Sequence, residues 1–148
     1  MYITEIFNSI QGEGTRAGLP CIFVRLTGCN LRCSWCDTAY AFHSGQRMAV
    51  EEVFERVKTL NHCANGSSAA RPLVELTGGE PLLQREVLQL AERLVAAGYT
   101  VLTETSGERF IGELPPEVVC IVDVKCPIPA NPTPLTCRTL AHSAARTR

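Results

Sequence analysis

The sequence has no excess of either charge, because 14 lysines and arginines oppose 15 aspartates and glutamates for a formal net charge of −1. A protein that binds nucleic acid without specificity needs a basic surface, so this balance argues against direct nucleic-acid binding. No apolar run approaches the roughly 20 residues of a membrane span. Residues 1–5 lack the basic-then-apolar order of a secretory signal peptide. These absences favour a cytoplasmic protein with no membrane partner.

Cysteine, by contrast, is abundant. Eight cysteines in 148 residues, in a chain expected to be cytoplasmic, favour metal or redox chemistry over disulfide bridges. Cys29, Cys33 and Cys36 have the spacing C-x3-C-x2-C and directly follow the apolar run 21–26. Thiolates ligate iron–sulfur clusters, and a cubic [4Fe–4S] cluster normally takes four of them. Three thiolates would therefore leave one iron open to a small chelating molecule.

Structural zinc is the alternative use of these thiols. Such a site usually completes its tetrahedron with a second Cys/His pair. The remaining candidate ligands, His43 and Cys63, are not in a paired zinc-knuckle spacing. Cys21 and Cys120 fall in apolar strand-like runs, which is typical of small buried hydrophobic residues. The spacing favours a cluster, and zinc stays open as an alternative.

Hydrophobic periodicity predicts an α/β fold. From residue 20 onward the predicted order is strand, helix, strand, helix, strand, loop, strand, which implies a parallel sheet with right-handed crossovers. The predicted strands are 2–7, 20–27, 72–77, 99–104 and 117–124, and the predicted helices are 49–62 and 81–97. Arg25 interrupts the apolar strand 20–27, and a charge there either faces a polar cavity, pairs with an anion, or lies on a surface edge strand.

Four short motifs follow the predicted strands at their carboxyl ends. They are the cysteine loop, Thr77-Gly78-Gly79-Glu80, Glu104-Thr105-Ser106-Gly107 and Asp123-Val124-Lys125. Sites in parallel sheets form where loops leave the carboxyl ends of the strands. The four motifs therefore predict one shared active site.

The pattern breaks after residue 127. Prolines at 127, 129, 132 and 134 do not allow a helix or a central strand. The sequence therefore predicts a core domain over residues 1–127 and an irregular, largely unpacked, proline-rich tail over residues 128–148.

Taken together, the motifs resemble those of the 7-carboxy-7-deazaguanine synthase family of radical S-adenosylmethionine (SAM) enzymes. The likeness covers residues 2–127 and is carried by segments 7–14, 23–26, 29–38, 77–81, 104–107 and 123–127. It implies a partial (β/α) barrel of the radical SAM type, with a [4Fe–4S] cluster, SAM and Mg²⁺ as cofactors. In this family the reduced cluster splits SAM into methionine and a 5′-deoxyadenosyl radical. The enzyme then contracts the ring of 6-carboxy-5,6,7,8-tetrahydropterin to 7-carboxy-7-deazaguanine, a carbon–nitrogen lyase reaction that releases ammonia in queuosine and 7-deazapurine biosynthesis.

The resemblance also implies roles by position. Cys29, Cys33 and Cys36 would hold the cluster, and Thr38 would bind Mg²⁺ together with substrate oxygens. SAM would lie against Trp35, Asp37, Gly79, Glu80, Ser106, Asp123, Val124 and Lys125. The pterin substrate would meet Ile10, Gln11, Gly12, Arg25 and Thr77, with Arg25 on its carboxylate. The electron donor would be a protein such as flavodoxin, and the family forms a homodimer.

One departure from the family lies at the end of the chain. Family members continue past the segment matching 123–127 with further strands and helices that close the pterin pocket, and residues 128–148 do not resemble that region. We expect a truncated or altered C-terminal part, which would leave a sheet edge open and remove the family's dimer surface. Two other functions stay open. They are a radical-activating enzyme that acts on a partner protein, and an inactive cluster-binding fragment.

Overall fold

The structure, a computed structural model, describes residues 1–64 and 73–124. Its strands are β1 (Tyr2–Ile10), β2 (Pro20–Leu26), β3 (Gln46–Arg47), β4 (Leu73–Gly78), β5 (Thr100–Thr105) and β6 (Val119–Val122). Its α-helices are α1 (Val50–Ala64) and α2 (Glu86–Ala96), and short 3₁₀ turns lie at Gly14–Arg16, Ala39–Phe42, Pro81–Leu83 and Ile111–Glu113. The predicted tail 128–148 and Lys125 lie outside the described residues.

The strands form one sheet in the order β3-β1-β2-β4-β5-β6. Strands β2, β4, β5 and β6 are parallel, which confirms the α/β series predicted from residue 20 onward. Strand β1 is antiparallel to both β2 and β3. The connection 11–19 between β1 and β2 is too short for a helical crossover, and short connections join antiparallel strands. The sequence analysis assigned no partner to β1 and did not predict β3.

One face of the sheet packs against the two α-helices. Each helix buries one apolar stripe there, and both stripes meet inward-facing strand residues that are fully or almost fully buried. The stripes comprise Val53, Phe54 and Val57 of α1 and Val87, Leu90, Ala91 and Leu94 of α2, and the strand residues include Val24, Leu26, Val74, Leu76 and Val101. Within the described ranges, no helix has the length and apolar character needed to cross a bilayer.

The prediction of a single helix over 81–97 was wrong. The segment divides into the 3₁₀ turn Pro81–Leu83 and helix α2, with Gln84 extended between them at φ −101° and ψ 113°. The Gln84 side chain explains the break. Its Oε1 accepts from the Tyr2 backbone N–H at 2.6 Å, and its Nε2 donates to the carbonyls of Tyr2 and Thr27. These contacts tie the start of α2 to the sheet.

Candidate active site

A cavity of about 340 Å³ lies at the carboxyl ends of β2, β4 and β5. It is lined by parts of all four strand-end motifs that the sequence singled out. These include Cys29, Cys33 and Cys36 of the cysteine loop, Gly78 and Gly79 at the end of β4, Thr105 and Ser106 at the end of β5, and Asp123 after β6. The motifs therefore meet at one place, although they are spread over almost a hundred residues of sequence.

The sheet face opposite the helices supplies a polar wall to this cavity. Because side chains alternate along a strand, the residues on one face of neighbouring strands lie side by side. The register pairs Glu5 of β1 with Arg25 of β2, and Arg25 with Thr77 of β4. The hydroxyl of Thr77 donates to the carboxylate of Glu104 on β5 at 2.9 Å. A row of polar and charged side chains thus crosses four strands of the sheet.

The cysteine loop is folded by its own hydrogen bonds. Gly28 begins it at φ +98°, a conformation that favours glycine, and its N–H donates to the Ala41 carbonyl at 2.8 Å. Arg32 donates to the carbonyls of Cys29 and Leu31, and its guanidinium lies 4.4 Å from the centre of the Phe42 ring. These contacts fix the loop around the cavity, where the three thiols are free and partly exposed.

The donor set fits a cubane cluster. Each thiolate of a [4Fe–4S] centre binds a different iron, so the three thiols need only face one cavity. Among the residues that the structure describes, no three His, Cys, Asp or Glu side chains converge on a single-ion site. Burial raises the pKa of the Cys29 thiol, and the charge of Glu80 raises it further, while the Leu31 N–H lowers it. A bound metal deprotonates a coordinating thiol outright and overcomes that effect.

The two glycines at the end of β4, Gly78 and Gly79, pack directly against the start of the cysteine loop and the strand before it. A Cβ on Gly79 would lie 2.3 Å from the Gly28 carbonyl oxygen and 2.7 Å from the Cys29 Cβ. Gly78 has φ +148°, and a Cβ there would meet the Leu26 carbonyl oxygen at 2.3 Å. The Glu80 N–H donates to the Gly28 carbonyl at 2.9 Å. No larger residue fits this close approach of the two loops.

Glu80 is fully buried behind the cavity wall and joins three segments. Its Oε1 accepts from the Thr105 hydroxyl at 2.8 Å and from the Leu82 N–H at 3.1 Å. Its Oε2 accepts from both the N–H and the hydroxyl of Ser106, at 2.9 and 2.7 Å. Glu80 therefore acts on the site by fixing the loops after β4 and β5 relative to each other.

Arg25 lines the cavity and is held from two sides. Its Nε donates to Oε1 of Glu5 at 2.8 Å, and the Tyr40 hydroxyl donates to the same oxygen at 2.7 Å. Its guanidinium carbon lies 5.9 Å from the Phe7 ring centre and 5.8 Å from that of Tyr40. The Tyr40 hydrogen bond lowers the pKa of Glu5, and Arg25 adds to this effect. The edge-strand alternative for Arg25 was wrong, since β2 lies between β1 and β4.

The structure brings some of the predicted site residues together and leaves others apart. Those that line the cavity are Arg25, Trp35, Asp37, Thr38, Thr77, Gly79, Ser106 and Asp123, with the three cysteines. The Thr38 hydroxyl donates to Oδ1 of Asp37 at 2.7 Å. Ile10, Gln11, Gly12 and Val124 are not among the lining residues. Gln11 is buried, whereas Ile10 and Val124 are exposed.

Three acidic residues near the site were given no individual role by the sequence analysis, although Glu104 belongs to one of the strand-end motifs. Glu13 and Glu104 line the cavity, and Glu75 is buried beside them on β4. Burial raises the pKa of Glu75 to about 7, and the neighbouring charge of Glu104 contributes to this increase. For Glu75 and Glu104 the available signal was the same one that marked Arg25, namely a charged residue inside a short apolar strand.

The comparisons with known proteins agree with this site. Residues 23–120 match the radical SAM superfamily. The chain is 57% identical over 128 residues to a 7-carboxy-7-deazaguanine synthase of Koribacter versatilis, covering 86% of this chain and 53% of the relative. It is 46% identical over 129 residues to a synthase of the same name from Methanospirillum hungatei, covering 86% of this chain and 51% of the relative.

A solved structure is also similar. A crystal structure of QueE from Escherichia coli superposes with a TM-score of 0.78 at 26% identity, covering 96% of this chain and 67% of that chain. The chain spans about half the length of the curated relatives it matches. Because the superfamily match extends over more than half of its residues and contains the three cavity thiols, the chain belongs to the radical SAM superfamily.

Proposed function

We propose that the chain carries the cluster- and SAM-binding part of a 7-carboxy-7-deazaguanine synthase. Such an enzyme converts 6-carboxy-5,6,7,8-tetrahydropterin into 7-carboxy-7-deazaguanine and releases ammonia, for queuosine and other 7-deazapurines. The observation that carries the proposal is that three free thiols share one cavity with the guanidinium of Arg25. A cluster and a carboxylated small molecule can therefore be held side by side.

Cys29, Cys33 and Cys36 would hold the [4Fe–4S] cluster, which leaves one iron for SAM. When bound, the cluster and SAM supply the radical that starts the reaction. The cavity wall offers SAM an aromatic face from Trp35 and carboxylates from Asp37 and Asp123, with further contacts from Gly79 and Ser106. Glu80 would position this wall through its four hydrogen bonds and would not touch the ligand.

The substrate carboxylate would pair with Arg25. Arginine suits this role because its planar guanidinium binds a carboxylate through two parallel hydrogen bonds. Glu5 holds the Nε edge of that guanidinium, so the terminal nitrogens have a fixed direction. Thr77 would add a hydroxyl next to Arg25. This hydroxyl donates its hydrogen bond to Glu104. The hydroxyl of Thr77 is thus oriented to accept from a ligand.

The remaining parts of the proposal come from the resemblance alone. Thr38 would contribute one ligand to Mg²⁺, which keeps several waters and takes few protein ligands. The Asp37 carboxylate lies next to that hydroxyl and would attract the cation. Ile10, Gln11 and Gly12 would contact the pterin, and Val124 and Lys125 would contact SAM. A flavodoxin-type protein would supply the electron, and the complete enzyme would be a cytoplasmic homodimer.

A radical-activating enzyme is the second candidate function, since small activases share the C-x3-C-x2-C spacing. The position of Arg25 favours the synthase. A cation held inside the cavity suits a small carboxylated substrate, whereas a protein substrate requires an outer docking face. A cluster-binding fragment without turnover is the third candidate.

Anaerobic reconstitution separates the three functions. The reconstituted chain is incubated with SAM, dithionite, Mg²⁺ and 6-carboxy-5,6,7,8-tetrahydropterin, and the products are identified by mass spectrometry. Loss of the pterin with formation of the deazaguanine and little net loss of SAM supports the synthase. Cluster absorbance with only slow SAM cleavage supports the fragment. A Cys33→Ala variant serves as the cluster-free control, and product formation by that variant would overturn the proposal.

A further inference from the structure

Glu75 has no role in the function proposed so far, although it lies at the centre of a buried polar group. It projects from β4 and is 2% exposed. The Gln11 side-chain amide donates to its Oε2. The ionisable groups that face it from neighbouring elements are Glu13 after β1, Cys21 on β2 and Glu104 on β5. All three are acidic groups, so none of them balances the charge of Glu75.

Two adjacent carboxylates away from water do not both ionise, because each disfavours the charge of the other and burial disfavours both. The Glu104 carboxylate reaches the cavity and accepts a hydrogen bond from Thr77. Glu75 lies deeper and already accepts from the Gln11 amide through one oxygen. The other carboxyl oxygen of Glu75 can therefore carry a proton and donate it in a hydrogen bond to Glu104.

The pKa of Glu75 agrees with this placement. Burial, the charge of Glu104 and a hydrogen bond with that carboxyl together raise this pKa to about 7, against the opposing effect of the Gln11 amide. In the protonated pair the proton therefore belongs to Glu75. Cys21 does not compete for the negative charge, because burial and Glu75 raise the pKa of its thiol to about 12.

We propose that Glu75 is a positioning residue whose protonated form accepts a hydrogen bond from Gln11 and donates one to Glu104. The pair then places a single negative charge on the cavity wall and ties the loop after β1 to that wall. The proposal rests on the proposed function in one respect, which is that the ligand is an anionic pterin carboxylate. A second negative charge beside that ligand would repel it and offset the attraction of Arg25.

Glu75→Gln is the matching variant. A protonated carboxyl has one acceptor oxygen and one O–H donor, and a glutamine side chain reproduces both with its carbonyl and its amide. The variant therefore keeps the two hydrogen bonds of the neutral acid and removes the ionisation. Glu92→Gln, at an exposed position of α2, is the control for the chemical change alone.

The first readout is stability, which needs no ligand. An acid whose pKa is raised on folding loses stability as pH rises from its unfolded value toward its folded value. For Glu75 that window lies between about 4.5 and about 7. The urea concentration at the unfolding midpoint of the reconstituted chain should decrease as the pH is raised from 5.5 to 7.5. The midpoint of Glu75→Gln should decrease less over the same pH range. An equal difference between the two proteins at every pH would show a purely structural role and overturn the proposal.

The second readout is spectroscopic and uses the unsubstituted chain, so it holds even where Glu75→Gln fails to fold. Infrared difference spectra should show the carbonyl band of a protonated carboxyl that disappears as the pH passes through about 7. Glu104→Gln removes the neighbouring charge and should move this loss to lower pH. A band that has already disappeared at pH 6 in the unsubstituted chain would contradict the shared proton.

The third readout is ligand affinity, measured anaerobically with 6-carboxy-5,6,7,8-tetrahydropterin by equilibrium dialysis. The affinity of the unsubstituted chain and of Glu92→Gln should fall about threefold or more from pH 6 to pH 8, while that of Glu75→Gln stays constant. Equal slopes in all three proteins would overturn the proposal. If none of the three proteins binds the pterin, the proposed function fails, and the stability and infrared readouts still decide whether Glu75 holds the proton.

Discussion

Arg25 and Glu5 form a directed pair across β1 and β2, in which Nε of the guanidinium donates to Oε1 of the carboxylate at 2.8 Å. Tyr40 donates to the same oxygen from the loop that follows the cluster cysteines. The guanidinium is thus oriented before any ligand arrives. A pre-oriented group loses less entropy on binding, so both the direction and the charge of the Arg25 guanidinium contribute to affinity.

Replacement of Arg25 should therefore weaken substrate binding without loss of the cluster. We expect Arg25→Ala to reduce the affinity for 6-carboxy-5,6,7,8-tetrahydropterin by a factor of about ten or more, since a hydrogen bond to a charged group contributes about 1.5–3 kcal/mol. Arg25→Lys should retain little more substrate affinity than Arg25→Ala, because an ammonium cannot replace a bidentate guanidinium. Arg56→Ala, at an exposed position of α1, is the control. Equal loss of iron and of ligand affinity would contradict the assignment.

Glu80 should be important for stability despite its place in a site motif. Glu80→Ala leaves the buried hydroxyl of Thr105 and the part-buried donors of Leu82 and Ser106 without their acceptor, and an unsatisfied buried group costs about 1–3 kcal/mol. We expect the free energy of unfolding to fall by about 3 kcal/mol or more in urea denaturation. Glu92→Ala on the solvent side of α2 should stay within about 0.5 kcal/mol. Similar losses in the two variants would show that the Glu80 contacts are unimportant.

Gly79→Ala should impair cluster assembly. The added methyl group would lie within 3 Å of Gly28 and Cys29, so the cysteine loop has to move away from its position. We expect iron and acid-labile sulfide content after reconstitution to fall several-fold. Gly12→Ala adds the same group where nothing lies within 4 Å, and its iron content should match that of the unsubstituted chain. Full cluster content in Gly79→Ala would refute the tight packing of the two loops.

Thiol alkylation should distinguish the cysteines by position. Cys21 is 2% exposed with a pKa of about 12, and the thiolate is the reactive form. Iodoacetamide should therefore modify the partly exposed Cys33 and Cys36 well before Cys21 in the chain without its cluster. Reconstitution should protect Cys29, Cys33 and Cys36 and leave Cys21 unchanged. Peptide mapping by mass spectrometry measures each site, and rapid modification of Cys21 would contradict its burial.

The parallel part of the fold was predictable because its signals are local. Apolar periodicity predicted α1 and the strands β2, β4, β5 and β6, and glycines marked the loops after β2, β4 and β5. The break before α2 was not predictable in this way. It depends on hydrogen bonds between Gln84 and Tyr2, which are 82 residues apart in sequence. The pairing of β1 was likewise not predictable from local signals, because it depends on which strands lie beside β1 in the folded chain.

The site was predictable to a similar degree. Cysteine spacing and strand-end motifs identified residues that do line one cavity, such as Cys33, Thr77 and Ser106. The acidic pair of Glu75 and Glu104 was not predicted, since it depends on the pairing of β4 with β5, in which Glu75 lies opposite Leu102 and two positions from Glu104. Gln11 shows the same limit, because its amide is directed to Glu75 and not to the cavity lining.

Trp35 is the one tryptophan of the chain, and it lies half-exposed at the cavity, between Cys33 and Cys36 in sequence. The intrinsic indole fluorescence of the chain therefore originates inside the loop that we propose to bind the cluster. Iron–sulfur centres absorb broadly at the wavelengths where indole emits, so energy transfer should quench this emission as soon as the cofactor is inserted. The chain thus contains its own optical reporter of maturation, which can be followed in real time without a label.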